Sequence, residues 1–219
     1  MDRPIKASCL LVIAVTLAPC VLADEHPAGI SSDKALALLK EGNQRYVAHR
    51  ETHPDATPER RHELTKGQHP FAVVVGCADS RVPPELVFDS GFGDLFVIRE
   101  AGNVVDSVVL GSVEYAVEHV GAKLIVVLGH EQCGAVTAAV KHTREGHITS
   151  IVKAIEPAVQ QSKSQPGDAV HNCVLANARR VAQQIRSSKP ILSKAIQEDG
   201  VKVVAAIYDL DSGAVQFLE

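Results

Sequence analysis

The chain has 219 residues, of which 46% are hydrophobic and 22% are charged, so it is long and apolar enough to bury a substantial core. One domain of ordinary size accounts for this length, and nothing in the composition demands a second. The formal net charge is -4 and the lysine and arginine residues are scattered, which excludes the broad basic surface typical of proteins that bind nucleic acids.

Residues 1–23 have the pattern of a signal peptide for export. Arg3 and Lys6 provide a positive start, residues 10–17 are apolar, and Val21-Leu22-Ala23 forms a small-residue cleavage site. We therefore expect cleavage after Ala23 and a mature chain, residues 24–219, that folds as a single domain. The expected location is periplasmic or secreted, with no membrane attachment after cleavage.

Two other uses of the same N-terminal segment remain open. An uncleaved membrane anchor is less favoured, because Pro19 interrupts an apolar stretch that is already short for crossing a bilayer. A lipid anchor on Cys20 is the second alternative.

Cleavage would leave three of the five cysteines: Cys77, Cys133 and Cys173. An odd number of thiols does not suit a disulfide framework in an exported protein. It suits metal binding by two cysteines, with Cys173 predicted to be a core residue of a helix.

The first predicted element of the mature chain is a helix that begins at Ser31 and runs to about Arg50. Leu36, Leu39 and Tyr46 recur on it at helical spacing. The helix is interpreted either as an ordinary surface helix or as an arm that packs on a partner chain.

From Phe71 onward, apolar runs alternate with helical patterns. Four continuous apolar runs predict strands at residues 71–76, 95–98, 124–129 and 201–207. Continuous runs are typical of strands that helices cover on both faces. Helices are predicted at residues 107–120, from Asp168 onward, and from Pro190 to Gly200.

A turn at residues 211–213 precedes an alternating pattern at residues 215–217, which predicts an edge strand joined through a hairpin. The predicted fold class is therefore α/β. It has a mainly parallel central sheet of four strands plus an edge strand, helices on both faces and an N-terminal helical arm.

Metal-binding side chains follow two of the predicted strands. Cys77 follows the first run directly, and His130-x-x-Cys133 follows the third. Because functional groups of open α/β sheets gather at the carboxyl ends of strands, two neighbouring strands would bring these side chains onto one metal ion. Three ligands and one open position are typical of catalytic zinc. Taken singly, each cysteine is better explained as a buried core thiol.

Asp79 and Arg81 lie immediately beside this predicted site. An arginine next to a carboxylate favours its ionised form, and the pair could accept a hydrogen bond from a zinc-bound hydroxyl and orient it. A structural salt bridge is the alternative, and it would explain the pair but not its position.

Four motifs together give the chain a specific resemblance to the β-class carbonic anhydrases, of the exported bacterial type. They lie between residues 42 and 134: Gly42-Asn43-Gln44-Arg45-Tyr46, Cys77-x-Asp79-Ser80-Arg81-Val82, Arg99-x-Ala101-Gly102-Asn103 and Gly129-His130-x-x-Cys133-Gly134. The resemblance implies a zinc enzyme that reversibly hydrates carbon dioxide to bicarbonate and a proton, using a zinc-bound hydroxide.

The resemblance also implies roles for individual residues. Zinc would be bound by Cys77, His130 and Cys133, and the fourth ligand would be positioned by Asp79 and Arg81. Substrate would be bound by Gln68, Phe96 and Gly134. The expected assembly is a homodimer or homotetramer, with active sites at the subunit boundary and the helical arm wrapping a partner.

Two features bear on the branch of this family. The allosteric branch holds bicarbonate at a second site with a tryptophan, and this chain has no tryptophan, which disfavours that branch. Glu100 places a charge in a stretch that is usually neutral, and the sequence assigns it no role.

Three other functions stay open at this level. The same scaffold could act on another small electrophile, such as carbonyl sulfide or carbon disulfide. A protein that stores or senses zinc is disfavoured, because a closed site normally has a fourth cysteine or histidine. Cys77 and Cys133 could also form a redox pair when zinc is lost.

Overall fold

The computed structural model describes residues 29–218, so the predicted signal peptide lies outside the described residues. In this described range, no helix is both long enough and apolar enough to cross a membrane.

One five-stranded sheet forms the centre of the molecule, with the strand order β2-β1-β3-β4-β5. The strands are β1 (Ala72–Gly76), β2 (Leu95–Arg99), β3 (Leu124–His130), β4 (Lys202–Tyr208) and β5 (Val215–Leu218). The first four are parallel, and β5 pairs with β4 in the antiparallel direction. The predicted sheet of four parallel strands and an edge strand is confirmed.

Helices cover both faces of this sheet, which is why β1 and β3 are buried along their whole length. The eight α-helices of the described range are α1 (Ser32–Val47), α2 (Pro58–Glu63), α3 (Pro84–Val87), α4 (Ser107–Glu118), α5 (Gly134–Val140), α6 (Ile148–Ser162), α7 (Ala169–Arg186) and α8 (Ile191–Glu198). Helices α4 to α8 pack on one face, and α1 and α3 pack on the other. No prediction covers α5 and α6, although Ile151, Val152, Ile155 and Val159 of α6 recur at helical spacing.

Side-chain caps explain where three of these helices begin. The Ser31 hydroxyl accepts a hydrogen bond from the Lys34 N–H at 3.3 Å, at the start of α1. Asp168 accepts one from the His171 N–H at 2.6 Å at the start of α7, and Asp106 caps α4 in the same way. Each cap satisfies backbone donors that have no partner inside the helix.

Helix α1 packs on the sheet of its own chain. Ala35 and Leu39 are fully buried there, and the Asn43 amide donates to the Val87 and Gly213 carbonyls at 3.0 and 2.9 Å. The Asn43 side-chain oxygen also accepts from the Val215 N–H. The apolar face of α1 is therefore covered within the chain, so a partner chain would contact only its exposed side.

A buried carboxylate, Asp89, fastens the segment that follows α1. It accepts hydrogen bonds from the Arg45 guanidinium at 2.6 Å and from the N–H groups of Thr52 and His53 at 3.0 and 2.9 Å. Burial by itself would raise the pKa of Asp89. The hydrogen bonds, including one from the Thr52 hydroxyl, outweigh burial and lower the pKa below its usual value.

Because the pKa of Asp89 is lower in the folded chain, its contribution to stability is present above the unfolded aspartate pKa of about 4 and is lost as the pH falls through the folded pKa. Asp89→Asn should lower the free energy of unfolding by about 2–3 kcal/mol near neutral pH. This difference should shrink at acid pH, which urea titrations at several pH values would measure.

Glu63→Gln provides the control, because Glu63 lies in an exposed ion pair with Arg60 at 3.5 Å. Its effect should stay below about 1 kcal/mol at every pH. An Asp89→Asn penalty that is constant between neutral and acid pH would contradict the assignment.

Candidate active site

Two thiols and one imidazole meet at the carboxyl edge of the sheet. Strands β1 and β3 are neighbours, Cys77 follows β1, and His130 is the last residue of β3. Cys133 is the N-cap of α5, one short turn further on. All three side chains are buried, and their donor atoms lie within 4.8 Å of one another.

The imidazole of His130 has one nitrogen in use and one free. Nδ1 lies 2.8 Å from the Glu131 carbonyl oxygen, which can only accept, so a neutral ring carries its proton on Nδ1. Nε2 is then left with a lone pair, and it is buried without a hydrogen-bond partner among residues 29–218. Burying a polar atom in this way is costly unless something binds it. The donor set therefore fits a metal ion.

The two thiols of the cluster titrate as a pair. Hydrogen bonding from Cys133 lowers the pKa of Cys77 to about 4 against the opposing effect of burial, with help from the Gly102 N–H. The same hydrogen bond, together with burial, raises the pKa of Cys133. A bound metal cation would favour the ionised form of both sulfurs.

Asp79 and Arg81 form a two-pronged ion pair beside the cluster. Arg81 Nε lies 2.9 Å from Asp79 Oδ1, and Arg81 Nη2 lies 2.8 Å from Oδ2. The Arg81 guanidinium holds the pKa of Asp79 well below its usual range, so the carboxylate is ionised. Asp79 Oδ2 also lies 3.7 Å from His130 Nε2, which places a fixed acceptor next to the metal donors.

The backbone around Cys77 is held by residues whose roles the sequence did not predict. Arg99 donates to the carbonyls of Cys77 and Asp79 at 2.8 and 2.5 Å. The Gly102 N–H donates to the Cys77 sulfur at 3.2 Å, and Asn177 of α7 donates to the Gly102 carbonyl at 2.9 Å. Glu100 is exposed and contributes its backbone to this segment, donating to the Gly76 carbonyl.

One sequence feature could have pointed to Asn177. It lies three residues after Val174 and four before Val181, inside the apolar stripe of α7. A polar residue in such a stripe is buried, and buried polar residues need partners.

The three predicted substrate residues do not all lie at this edge. Gly134 follows Cys133 at the start of α5, and the space where a side chain would be is open, with no atom within 4 Å. Gln68 is exposed and precedes β1, whose five residues separate it from Cys77 by roughly 16 Å. Phe96 lies near the amino end of β2, paired with Val73. A single chain therefore brings Gly134, but not Gln68 or Phe96, to the metal donors.

Comparisons with known proteins agree with this site and fold. A family model described as carbonic anhydrase matches residues 72–215. Carbonic anhydrase 2 of Mycobacterium tuberculosis is 40% identical over 184 residues, which are 82% of this chain and 89% of that protein. The carbonic anhydrase of Mycolicibacterium smegmatis is 39% identical, over 83% of this chain and 91% of its own length.

Solved structures give the same result. The β-carbonic anhydrase CafA of Aspergillus fumigatus is 29% identical with a TM-score of 0.67, and the match covers 85% of this chain and 90% of that one. The chain belongs to the carbonic anhydrase family, in its β class. It is an enzyme that hydrates carbon dioxide reversibly to bicarbonate and a proton.

The metal donors can be tested with the third thiol as a matched control. Cys133→Ser should abolish metal retention, because it removes one of three donors, whereas Cys173→Ala should retain about one metal ion per chain. Cys173 is also fully buried, but it belongs to the core on α7 and is not part of the cluster. Metal analysis of the two purified variants decides this, and equal metal content in both would contradict the assignment.

Proposed function

We propose that this carbonic anhydrase works with a zinc ion held by Cys77, His130 and Cys133. The observation that carries the proposal is the ionised Asp79 beside the free Nε2 of His130 in a buried cluster of three donors. Two thiolates and an imidazole are ligands that zinc prefers, and three protein ligands leave one position for a reactant.

A zinc ion bound there would supply Lewis acidity that lowers the pKa of a water molecule toward neutrality. Asp79 then has one task, because an ionised carboxylate only accepts hydrogen bonds. It accepts the hydrogen of the attacking O–H group and so turns a lone pair of that oxygen toward carbon dioxide. Arg81 prevents rotation of the Asp79 carboxylate by binding both of its oxygens.

The backbone N–H of Gly134 is a hydrogen-bond donor at the same edge. It lies in the first turn of α5, where backbone donors have no partner inside the helix. This N–H is available to a bicarbonate oxygen as negative charge develops on it. A glycine suits this position because a side chain would occupy the open space beside Cys133.

The predicted role of Asp79 follows from its geometry. Asp79→Asn should keep the zinc, since Asp79 is outside the donor cluster, but should slow carbon dioxide hydration by about 100-fold or more, since it loses the obligate acceptor. Stopped-flow hydration and zinc content are measured on the same sample. Asp33→Asn is the control, because it removes an exposed carboxylate that pairs with Lys202 instead.

The outcomes separate the alternatives. Fast hydration by the wild type in proportion to its zinc content would support the proposal. Full zinc occupancy without hydration at neutral or alkaline pH would overturn it and direct attention to carbonyl sulfide and carbon disulfide. Loss of zinc from Asp79→Asn would show that Asp79 holds the metal and would contradict its role as acceptor.

We also propose that Gln68 and Phe96 act in the active site of a partner subunit. Gln68 is too far from Cys77 of its own chain, and β2 is an edge strand with an unpaired side. The Phe96 and Tyr115 ring centroids are 6.3 Å apart, and Tyr115 and Val108 lie on one face of α4, 51% and 74% exposed. Such an apolar surface favours contact with a second copy.

The same fold occurs in two tetrameric β-carbonic anhydrases of Sordaria macrospora, with a TM-score of 0.69. A homodimer or homotetramer of this chain is therefore compatible with its architecture. Sites at the boundary would receive the metal donors from one chain and Gln68 from another.

Mixing two inactive variants tests this division of labour. Gln68→Ala keeps its metal donors but lacks the glutamine, and Cys133→Ser lacks the metal but keeps the glutamine. If Gln68 acts in the partner's site, mixed oligomers reassembled from both variants should regain hydration activity, because a mixed dimer contains one complete site. No regain in mixed oligomers, verified by mass spectrometry, would contradict action across the boundary.

A further inference from the structure

The segment 101–103 contacts a metal-binding sulfur through its backbone. Gly102 has φ of +73° and ψ of +20°, a left-handed conformation that suits glycine. In this conformation its N–H points to the Cys77 sulfur at 3.2 Å, while its carbonyl receives the Asn177 amide at 2.9 Å. One residue thus links the thiolate to α7.

Side chains of two helices pack closely against Gly102. A Cβ added to Gly102 would lie 2.7 Å from Ile155 Cδ1 and 3.0 Å from Ala135 Cβ, so α5 and α6 press against it on that side. Asn177 fixes it from α7. Residues of three helices thus surround Gly102, whose N–H points to the Cys77 sulfur.

Burying Asn177 has an unfavourable desolvation free energy that packing alone does not explain. It is 1% exposed, and its Oδ1 has no hydrogen-bond partner among the described residues. Its one hydrogen bond goes to Gly102, whereas buried Asn43 makes three on the other face of the sheet. Burying an amide for one bond costs desolvation that an apolar residue of the same size would avoid. Stability alone thus gives little reason for Asn177.

We propose that Asn177 is a positioning residue of the metal site, which it serves by holding the Gly102 N–H on the Cys77 thiolate. Holding this hydrogen bond keeps the sulfur in place relative to His130 and Cys133, so a metal ion would meet a preformed set of three donors. The same hydrogen bond fixes the direction of the sulfur. This role rests on the proposed function, in which Cys77 binds the metal.

The direct readout is the metal site, independent of catalysis. Asn177→Ala should weaken zinc binding by about 10- to 100-fold, the usual effect of losing a partner of a metal ligand, as measured by competition with a chromophoric chelator. In the wild type loaded with an NMR-active cadmium isotope, the Gly102 amide proton should show scalar coupling to cadmium through the sulfur. This coupling should disappear or fall in the variant.

Two controls separate positioning from stability. Asn43→Ala removes a buried asparagine from the opposite face, so it should destabilise the chain while leaving zinc affinity within about twofold of wild type. Gln184→Ala removes the amide that α7 donates to the Val105 carbonyl at 3.1 Å, two turns after Asn177. It too should leave zinc affinity within about twofold.

Where Asn177→Ala does not yield folded protein, Asn177→Leu is measured in its place, since it fills the volume and removes only the amide. Unchanged zinc affinity with the cadmium coupling intact in the variant would overturn the proposal. So would an equal loss of affinity in Gln184→Ala, which would assign the effect to the loop as a whole. A wild type that binds no zinc would instead contradict the proposed function, and the two failures are therefore distinct.

Discussion

The parallel pairing of β1 with β3 is the constraint on which the rest of the site depends. It places Val75 beside Val127 and Gly76 beside Leu128, so both strands end at one edge, where Cys77 follows β1 and His130 is the last residue of β3. A slip of one residue would turn every side chain of a strand to the opposite face and separate the donors. Both strands are buried on two faces, so such a slip would also disrupt their close packing against the helices on each side.

Hydrogen bonds from neighbouring residues hold the three donors at this edge in place. The sulfurs and the imidazole are the donors, and hydrogen bonds from Arg99 and Gly102 fix the chain that carries Cys77. The Glu131 carbonyl fixes the His130 ring in the same way. Precise chemistry on a small gas requires this order, because carbon dioxide offers few groups to bind and the protein must instead orient the attacking oxygen.

The distribution of residues over the sheet also separates two functions of the chain. The carboxyl edge carries the metal donors and the Asp79–Arg81 pair, while Gln68 and Phe96 lie toward the amino ends of β1 and β2. Strand β2 lies at one edge of the sheet in the described part of the chain, and the exposed Val108 and Tyr115 lie on one face of α4. Assembly would thus complete the active site in addition to covering apolar surface, which couples oligomer formation to activity.

The sequence by itself predicted the five strands, and it singled out the three side chains that cluster at the carboxyl edge and the acid beside them. Buried parallel strands must be continuously apolar, and ligands at their ends are close to them in the chain, so both are local patterns. Helix α6 has this kind of local pattern in Ile151, Val152, Ile155 and Val159, although no prediction covered it, whereas α5 is too short at seven residues to show a period. The link from Asn177 to Gly102 and the distance of Gln68 from Cys77 were decided by the tertiary structure alone. They join or separate residues across the sheet and between helices, and such long-range relations depend on how the elements pack, which no local sequence pattern records.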